Sequence, residues 1–354
     1  MRAYRWVMHG SGQAMTKVAM DTGGTAPGEV LVAVSGCGVC HTDIDYFYNG
    51  VRTSHPLPLA LGHEIAGRVE AAGPGAEEWL GKAVLVPAVV PCGECDLCRR
   101  GKGTICRAQK MPGNHIHGGF ATHVRVPAAG LCAVDEDRLA AIGLGLADLA
   151  VVADAVTSPY QAAVRADVGP GDLVVVIGVG GIGTFAIQIA NALCAEVIAL
   201  SHSAAKLEQV AHDAATLNLD HYRTSREIKQ AIVAFAQDKG LRPTEWIIME
   251  CSGNTASQEL AFDLLVPGAT LCVVGYNIEK GHFRLANLMA HDARALGSWG
   301  CPPELYPGAL DLVLSGKIRV ADFIERRPLD TINETFAEVR DHRLTRRVVL
   351  TPAG

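Results

Sequence analysis

Four of the eleven cysteines fall within fifteen residues, and their spacing is the strongest chemical signal in the chain. Cys92, Cys95, Cys98 and Cys106 read C-x2-C-x2-C-x7-C on a loop of about residues 91–107. Four thiolates on one compact loop make a closed tetrahedral sulfur shell. That shell suits zinc and leaves no position open for substrate, so the ion would be structural. Four free thiols are the bland alternative, at the cost of an oxidation hazard. An iron–sulfur cluster is the other, because thiolates bind both metals.

Two shorter pieces are also suited to chemistry. Gly38-Val39-Cys40-His41-Thr42-Asp43 follows an expected strand, and Gly62-His63-Glu64 follows a proline-rich loop. A thiolate and an imidazole are both zinc ligands, and a three-ligand shell keeps one position for water or an alcohol oxygen. Zinc in such a shell acidifies a bound hydroxyl. Each piece alone is weak evidence, since a lone His more often sits at the surface or in a hydrogen bond.

The third signal is Gly178-Val179-Gly180-Gly181-Ile182-Gly183, a G-x-G-x-x-G match. It follows the apolar run Leu173–Ile177 and opens a helical pattern from Ile182 to Leu193. Such glycines permit a tight turn and let a pyrophosphate approach the helix N-terminus. In that strand–turn–helix setting the match is specific; a turn that binds nothing is the alternative. The next strand, Glu196–Leu200, ends in Ser201-His202-Ser203. It carries no Asp or Glu for the ribose 2′-hydroxyl of NAD and no Arg for the 2′-phosphate of NADP. Ser201 is what this strand end offers a cofactor. Lys206 is the nearest cation and reads as an exposed helix residue. The residues leave NAD and NADP both open.

The elements that must carry these motifs change character along the chain. To about residue 155 the texture is β-rich, with short runs such as Glu29–Val34 and Gly81–Val86 bounded by Gly and Pro. From 156 to 299 buried strands alternate with helices, including Trp246–Glu250 and Ala269–Val274. That alternation implies a doubly wound parallel sheet, an α/β fold. After about residue 300 helical pieces lead to a last strand, Arg347–Leu350, expected to return to the first region. Residues 1–155 with 300–354 therefore read as one domain and 156–299 as a second. The bulk numbers agree with two folded domains: 354 residues, 49% hydrophobic, 19% charged, net charge −6. No basic run suggests nucleic acid. The stretch Met1-Arg2-Ala3-Tyr4-Arg5-Trp6 lacks the apolar core of a signal peptide. No apolar run approaches the ~20 residues of a membrane span. A cytoplasmic protein without a membrane partner is expected.

These motifs, in this order, resemble the zinc-containing medium-chain dehydrogenase/reductase family over nearly the whole chain. The ending Arg346-Arg347-Val348-Val349-Leu350 belongs to the same resemblance. It implies a GroES-like β-rich catalytic domain joined to a Rossmann cofactor domain. It also implies two zinc ions per chain and a nicotinamide cofactor, NAD with NADP not excluded. Cys40 and His63 match the first two ligands of the catalytic zinc. Asp154 falls where many members have Cys and several tetrameric bacterial members have Asp, and only the resemblance joins it to the site. Glu64 matches a residue that approaches the metal. Asp43 matches the carboxylate that orients the ligand His. Thr42 matches the hydroxyl that takes the substrate proton. The usual relay ends in a His three residues later; here that position is Asp45, whose pKa would have to be raised for this work. Gly178, Gly180, Gly181, Ile182 and Gly183 fall at the pyrophosphate. Ser158 sits where a Thr packs on the nicotinamide, with Thr157 as the neighbouring alternative. Arg347 and His41 match cations near the pyrophosphate. The resemblance also implies a homo-oligomer, a tetramer by preference.

Within the family, three segments resemble members that act on a CoA thioester. They are Tyr4-Arg5-Trp6-Val7-Met8, Tyr46-Phe47-Tyr48-Asn49-Gly50-Val51 and the stretch Val152–Gln161. Those members oxidise a ring secondary alcohol with NAD in anaerobic aromatic degradation. CoA phosphates need cations, and Arg52, Arg107 and Lys110 are available. A small free secondary alcohol, a polyol or an aromatic alcohol is the competing substrate. A non-catalytic dinucleotide binder is the competing class, against which the intact set of Cys40, His63 and Asp154 argues.

Overall fold

The structure is a computed structural model and describes residues 3–353. The chain divides into two compact units, 1–157 with 300–354, and 158–299.

The first unit is built on the strand Glu29–Gly38. It pairs antiparallel with Glu64–Ala72, with His123–Pro127 and with Arg347–Thr351. The sheet continues through Ala83–Val86 to Cys132–Ala133 on one side and to Ile324–Pro328 on the other. The expected strand 29–34 thus runs four residues further. Two register shifts, at Leu31/Val32 and Val34/Gly36, let pairing continue past the small residues Ser35 and Gly36. The expected start at Gly81 moves to Ala83, because Gly81 has φ +79° and belongs to a turn.

The extension positions the chemistry. Two residues beyond Gly38 the chain turns into the helix His41–Tyr48, with Cys40 as its N-cap residue. Phe47 on this helix meets Phe336 edge to face, ring centroids 5.4 Å apart, and Phe120 meets the same ring at 5.6 Å. Phe336 lies on the late helix Ile332–Arg340, so the tail of the chain helps fix the helix that carries Cys40. All three rings are fully or almost fully buried. Truncating such a ring costs about 3–5 kcal/mol.

The second unit is a six-stranded, all-parallel sheet. Its order is Ala215–Asn218, Glu196–Ser201, Leu173–Ile177, Ile247–Glu250, Thr270–Val273, Arg294–Gly297. In chain order within the unit this is 3-2-1-4-5-6, the doubly wound arrangement with a switch point beside the first strand. Every residue of Leu173–Ile177 is buried, as a strand covered on both faces requires. Among the described residues no helix is long and apolar enough to cross a membrane.

Candidate active site and thiol lobe

Cys40, His63, Glu64 and Asp154 come from three distant segments of the first unit. One donor atom from each lies within 4.8 Å of all the others. Cys40 Sγ is 3.8 Å and His63 Nε2 3.5 Å from Asp154 Oδ2. Cys40 and His63 are buried, and Asp154 keeps 14% of its side-chain exposure. Zinc–ligand bonds of about 2.0–2.3 Å in tetrahedral array place sulfur, nitrogen and oxygen donors about 3.4–3.6 Å apart. The donor types and spacings therefore fit that ion.

Asp43 fixes the first two groups relative to each other. Its fully buried carboxylate accepts from the Cys40 amide at 3.0 Å and from the Gly62 amide at 3.0 Å. The same carboxylate lies 3.5 Å from His63 Nδ1. One side chain thus ties a helix start to the loop before His63. Gly62 is required there, with φ +96° and only 2.6 Å between an added Cβ and Cys37 Sγ. Burial disfavours protonated His63, but Asp43 and Asp154 outweigh it and hold its pKa well above the ordinary value. A buried imidazole amid acids and a thiol marks a pocket that favours positive charge.

Glu64 opens the strand opposite Gly38. A Cβ at Gly38 would sit 2.0 Å from Glu64 Oε2, so the glycine makes room for this carboxylate. Both Glu64 oxygens accept from Arg347, the Nε contact being 2.9 Å. Burial raises the Glu64 pKa to about 7 even against the pull of Arg347. The Arg347 side chain is 7% exposed.

Asp154 follows the 3-10 stretch Leu146–Ala153, whose last five residues are wholly buried. Tyr306 holds this end in place. Its buried hydroxyl accepts from the Ala88 amide at 2.9 Å and donates to the Ala153 carbonyl. Sequence reasoning missed Tyr306, because a tyrosine 152 positions beyond Asp154 carries no local motif.

The remaining expected residues lie close by or apart. Thr42 Oγ1 is 3.7 Å from Cys40 Sγ. Asp45, one helical turn on, accepts from Asn49 Nδ2 at 2.7 Å, and partial burial raises its pKa. His41 is exposed and stacks on His342 at 5.9 Å. Ser158 is buried at the start of the second unit, outside the donor cluster. In that unit Gly178 has φ +93°, and a Cβ there would meet Ser252 at 2.6 Å. A Cβ on Gly183, first residue of the helix Gly183–Ala192, would strike the Gly178 carbonyl at 1.8 Å. A Cβ on Gly180 would meet nothing within 4 Å, leaving space over the turn. Ser201 closes its strand and accepts from the Ser203 amide at 3.2 Å. An acid does reach this strand end, from the 3-10 turn Leu219–His221 that follows the neighbouring strand: Asp220 accepts from His202 Nδ1 at 2.6 Å. Val197–Ser203 itself contains no acid.

The thiol lobe is a separate construction. Successive sulfur contacts among Cys92, Cys95, Cys98 and Cys106 measure 3.4–3.9 Å. A tetrahedron with Zn–S of about 2.3 Å has edges of about 3.8 Å. A disulfide needs about 2.05 Å. Backbone amides of Cys92 and Ala108 donate to Cys106 Sγ at 3.4 and 3.3 Å. The Cys98 amide helps hold the Cys95 pKa near 6.

Two family models match the chain. "Alcohol dehydrogenase GroES-like domain" covers residues 26–136 and "Zinc-binding dehydrogenase" covers 181–315. The L-galactonate-5-dehydrogenase of Escherichia coli (strain K12) is 30% identical over 313 residues, 87% of each chain. The chain belongs to the zinc-containing medium-chain dehydrogenase/reductase family. Solved structures agree. A cobalt- and zinc-bound thermostable alcohol dehydrogenase from Pyrobaculum aerophilum matches with TM-score 0.84 and 26% identity, over 99% of this chain and 100% of that one. Acetophenone reductase from Geotrichum candidum NBRC 4597, in complex with NAD, matches with TM-score 0.82 and 26% identity, over 99% and 97%. This dehydrogenase is an oxidoreductase acting on CH–OH groups, of the zinc-dependent alcohol and polyol dehydrogenase kind.

Proposed function

We propose that this enzyme transfers a hydride from a secondary alcohol to NAD at the cluster of Cys40, His63 and Asp154. One observation carries the reading: a sulfur, a nitrogen and an oxygen donor from three distant segments converge at 3.5–3.8 Å in a largely buried pocket. The three would hold a catalytic zinc with one position open, and the four thiols of the lobe a second, structural zinc. Zinc in the open shell supplies Lewis acidity to the substrate oxygen. Asp43 orients His63 and fixes the Cys40 amide. Glu64, held by Arg347, would keep a further carboxylate beside the three donors. Thr42 takes the proton from the substrate hydroxyl, and Asp45 accepts it one turn further on and passes it to solvent. Its raised pKa suits that task.

The cofactor would place its pyrophosphate over the Gly178–Gly183 turn, with Gly180, Gly181 and Ile182 at the helix start. Ser201 would face the ribose, and Ser158 the nicotinamide. His41 would stand near the pyrophosphate. Arg347 would reach it only while keeping its bond to Glu64. The domains split on this reading into a catalytic part, 1–155 with 300–354, and a cofactor part, 156–299. The protein works in the cytoplasm as a homo-oligomer, a tetramer by preference.

For the substrate, we favour 6-hydroxycyclohex-1-ene-1-carbonyl-CoA, oxidised to the 6-oxo compound in anaerobic benzoyl-CoA degradation. The support is the resemblance of the three quoted segments to the dehydrogenase of that thioester. Tyr46 and the stretch around Asp154 are buried, so the likeness lies largely in packing around the site. Among Arg52, Arg107 and Lys110, Arg107 is paired with Asp96, which lessens its availability. The 30% identity to L-galactonate-5-dehydrogenase favours a second reading, a polyol or sugar acid. Steady-state assays with NAD and NADP decide between them. Turnover of the cyclic hydroxyenoyl-CoA supports the first, and turnover of free polyols alone rejects it. Metal analysis tests the chemistry itself: two zinc ions per chain are expected, and fewer than one rejects it.

A further inference from the structure

The first unit holds a second cluster of polar groups that the dehydrogenase reaction does not use. A cleft of about 320 Å³ is lined by Arg5, His55, His117 and Arg125. Arg5, His55 and His117 also line a neighbouring space of about 380 Å³ walled by Val7, Val18 and Leu57. A cationic floor thus adjoins an apolar wall. Such a volume is in the range of small-ligand sites.

The cations are poorly compensated. Arg5 is partly buried, and among the described residues its guanidinium has no hydrogen bond or ion pair. Burial first, and then Arg125, make its charged form less favourable. Arg125 donates to the carbonyls of Gly24, at 3.0 Å, and Gly23. His117 Nδ1 accepts from the Ala60 amide at 3.2 Å, so the ring proton sits on Nε2. The His55 ring lies 4.8 Å from it, centroid to centroid. Burial, with Arg5 and His55, pushes the His117 pKa down to about 4. Of the nearby acids, Glu29 lines the cleft and has no ion pair among the described residues, and Glu70 is turned to His123 at 2.9 Å. Two permanent cations exclude a metal ion and favour an anion.

We propose that this cleft binds a phosphate group, its oxygens on Arg5 and His117, with the organic body of a monoester, where there is one, against Val7, Val18 and Leu57. The Arg5 guanidinium fork and the His117 Nε2–H match the several oxygens of a phosphate better than the two of a carboxylate, whereas His55 Nδ1 donates to the Pro56 carbonyl at 2.6 Å and its ring lines the cleft beside them. The phosphate has two possible sources, a nucleotide such as the 3′-phosphorylated end of CoA, or free phosphate. The site does not depend on the CoA substrate, although it would deepen that reading by giving the thioester's nucleotide a seat.

Calorimetric titration of the zinc-loaded enzyme, saturated with NAD and at low ionic strength, tests the site. The probes are inorganic phosphate, 3′,5′-ADP and adenosine. Saturable binding of the two phosphates but not adenosine is expected, weakened at least tenfold by Arg5→Gln. Tighter binding of 3′,5′-ADP assigns a nucleotide source, and equal binding assigns free phosphate. No saturable binding, or binding unchanged by Arg5→Gln, overturns the proposal. Should that variant not fold, proton NMR of the unsubstituted protein decides. The His55 and His117 ring resonances must shift saturably on adding phosphate, and stationary resonances overturn the site. Turnover of the CoA thioester is measured separately. Its absence with phosphate binding intact rejects the substrate reading alone, and the converse rejects the cleft alone.

Discussion

The two donor clusters of the first unit are built in opposite ways. The thiol lobe takes all its donors from residues 92–106, uses one element, sulfur, and leaves Cys92 exposed. The Cys40 cluster mixes sulfur, nitrogen and oxygen, draws on residues 114 positions apart, and is mostly buried. A local loop needs little of the fold to bring four thiols together. The mixed cluster needs all of it: a strand to deliver Cys40, Asp43 to tie it to Gly62, and Tyr306 to hold the turn before Asp154. The comparison predicts that damage to the lobe stays local and costs stability, while damage to the mixed cluster stops chemistry.

The sharpest break between them is Cys40→Ala. It removes one donor from the open shell and should lower kcat/KM by about a thousandfold or more, in line with losing metal stabilisation of several kcal/mol. Zinc content should fall from two to one, and the unfolding midpoint should barely move. Substantial activity in a variant with an empty Cys40 site would end the mechanism proposed above.

Arg347→Gln comes next. It leaves the carboxylate of Glu64, wholly buried, without its cation. Removing one partner of a buried pair costs up to about 3–5 kcal/mol, and less here to the extent that Glu64, whose pKa already stands at about 7, takes up a proton. Denaturant unfolding should show the loss. The double variant Arg347→Gln, Glu64→Gln should recover much of it, and failure to recover would mean that the pair is not what Arg347 supplies.

Cys95→Ala should cost less, about 0.5–3 kcal/mol as for most single substitutions, since a local loop rather than the core loses its cross-link. One zinc should again be lost, but hydrogen exchange should rise only near residues 92–106 and turnover should fall less than tenfold. Equal loss of turnover in Cys95→Ala and Cys40→Ala would erase the distinction between the clusters.

The same contrast explains what could be read from the sequence. The lobe was legible because its donors are neighbours in the chain. The glycine turn was legible because steric demands at Gly178 and Gly183 act over six residues, and the all-parallel sheet because Leu173–Ile177 is apolar throughout. Cys40 and His63 carried local motifs. Asp154 did not; only the resemblance joined it to them, and the fold brings its carboxylate to their donors. Tyr306 and Asp220 were invisible, since each acts on a partner through tertiary pairing. The strand Glu29–Gly38 was cut short because Ser35, Gly36 and Gly38 weaken a β pattern. Those glycines are there for packing: Gly38 admits the Glu64 side chain, and a Cβ at Gly36 would meet the Ala147 carbonyl at 2.8 Å.

The smallest expected effect concerns the edge of the mixed cluster. Asp45 is only partly buried and accepts from Asn49. As the last proton acceptor it must be ionised to work. Its pKa is raised by burial, so activity should fall as pH drops through that raised value. Asp45→Asn should remove this acid limb and lower kcat about tenfold, modest because water can replace a group so near the surface. Zinc content should stay at two. A variant that keeps the acid limb in its pH–rate profile would place the titrating group elsewhere, and Thr42 would then pass its proton by a route that does not include Asp45.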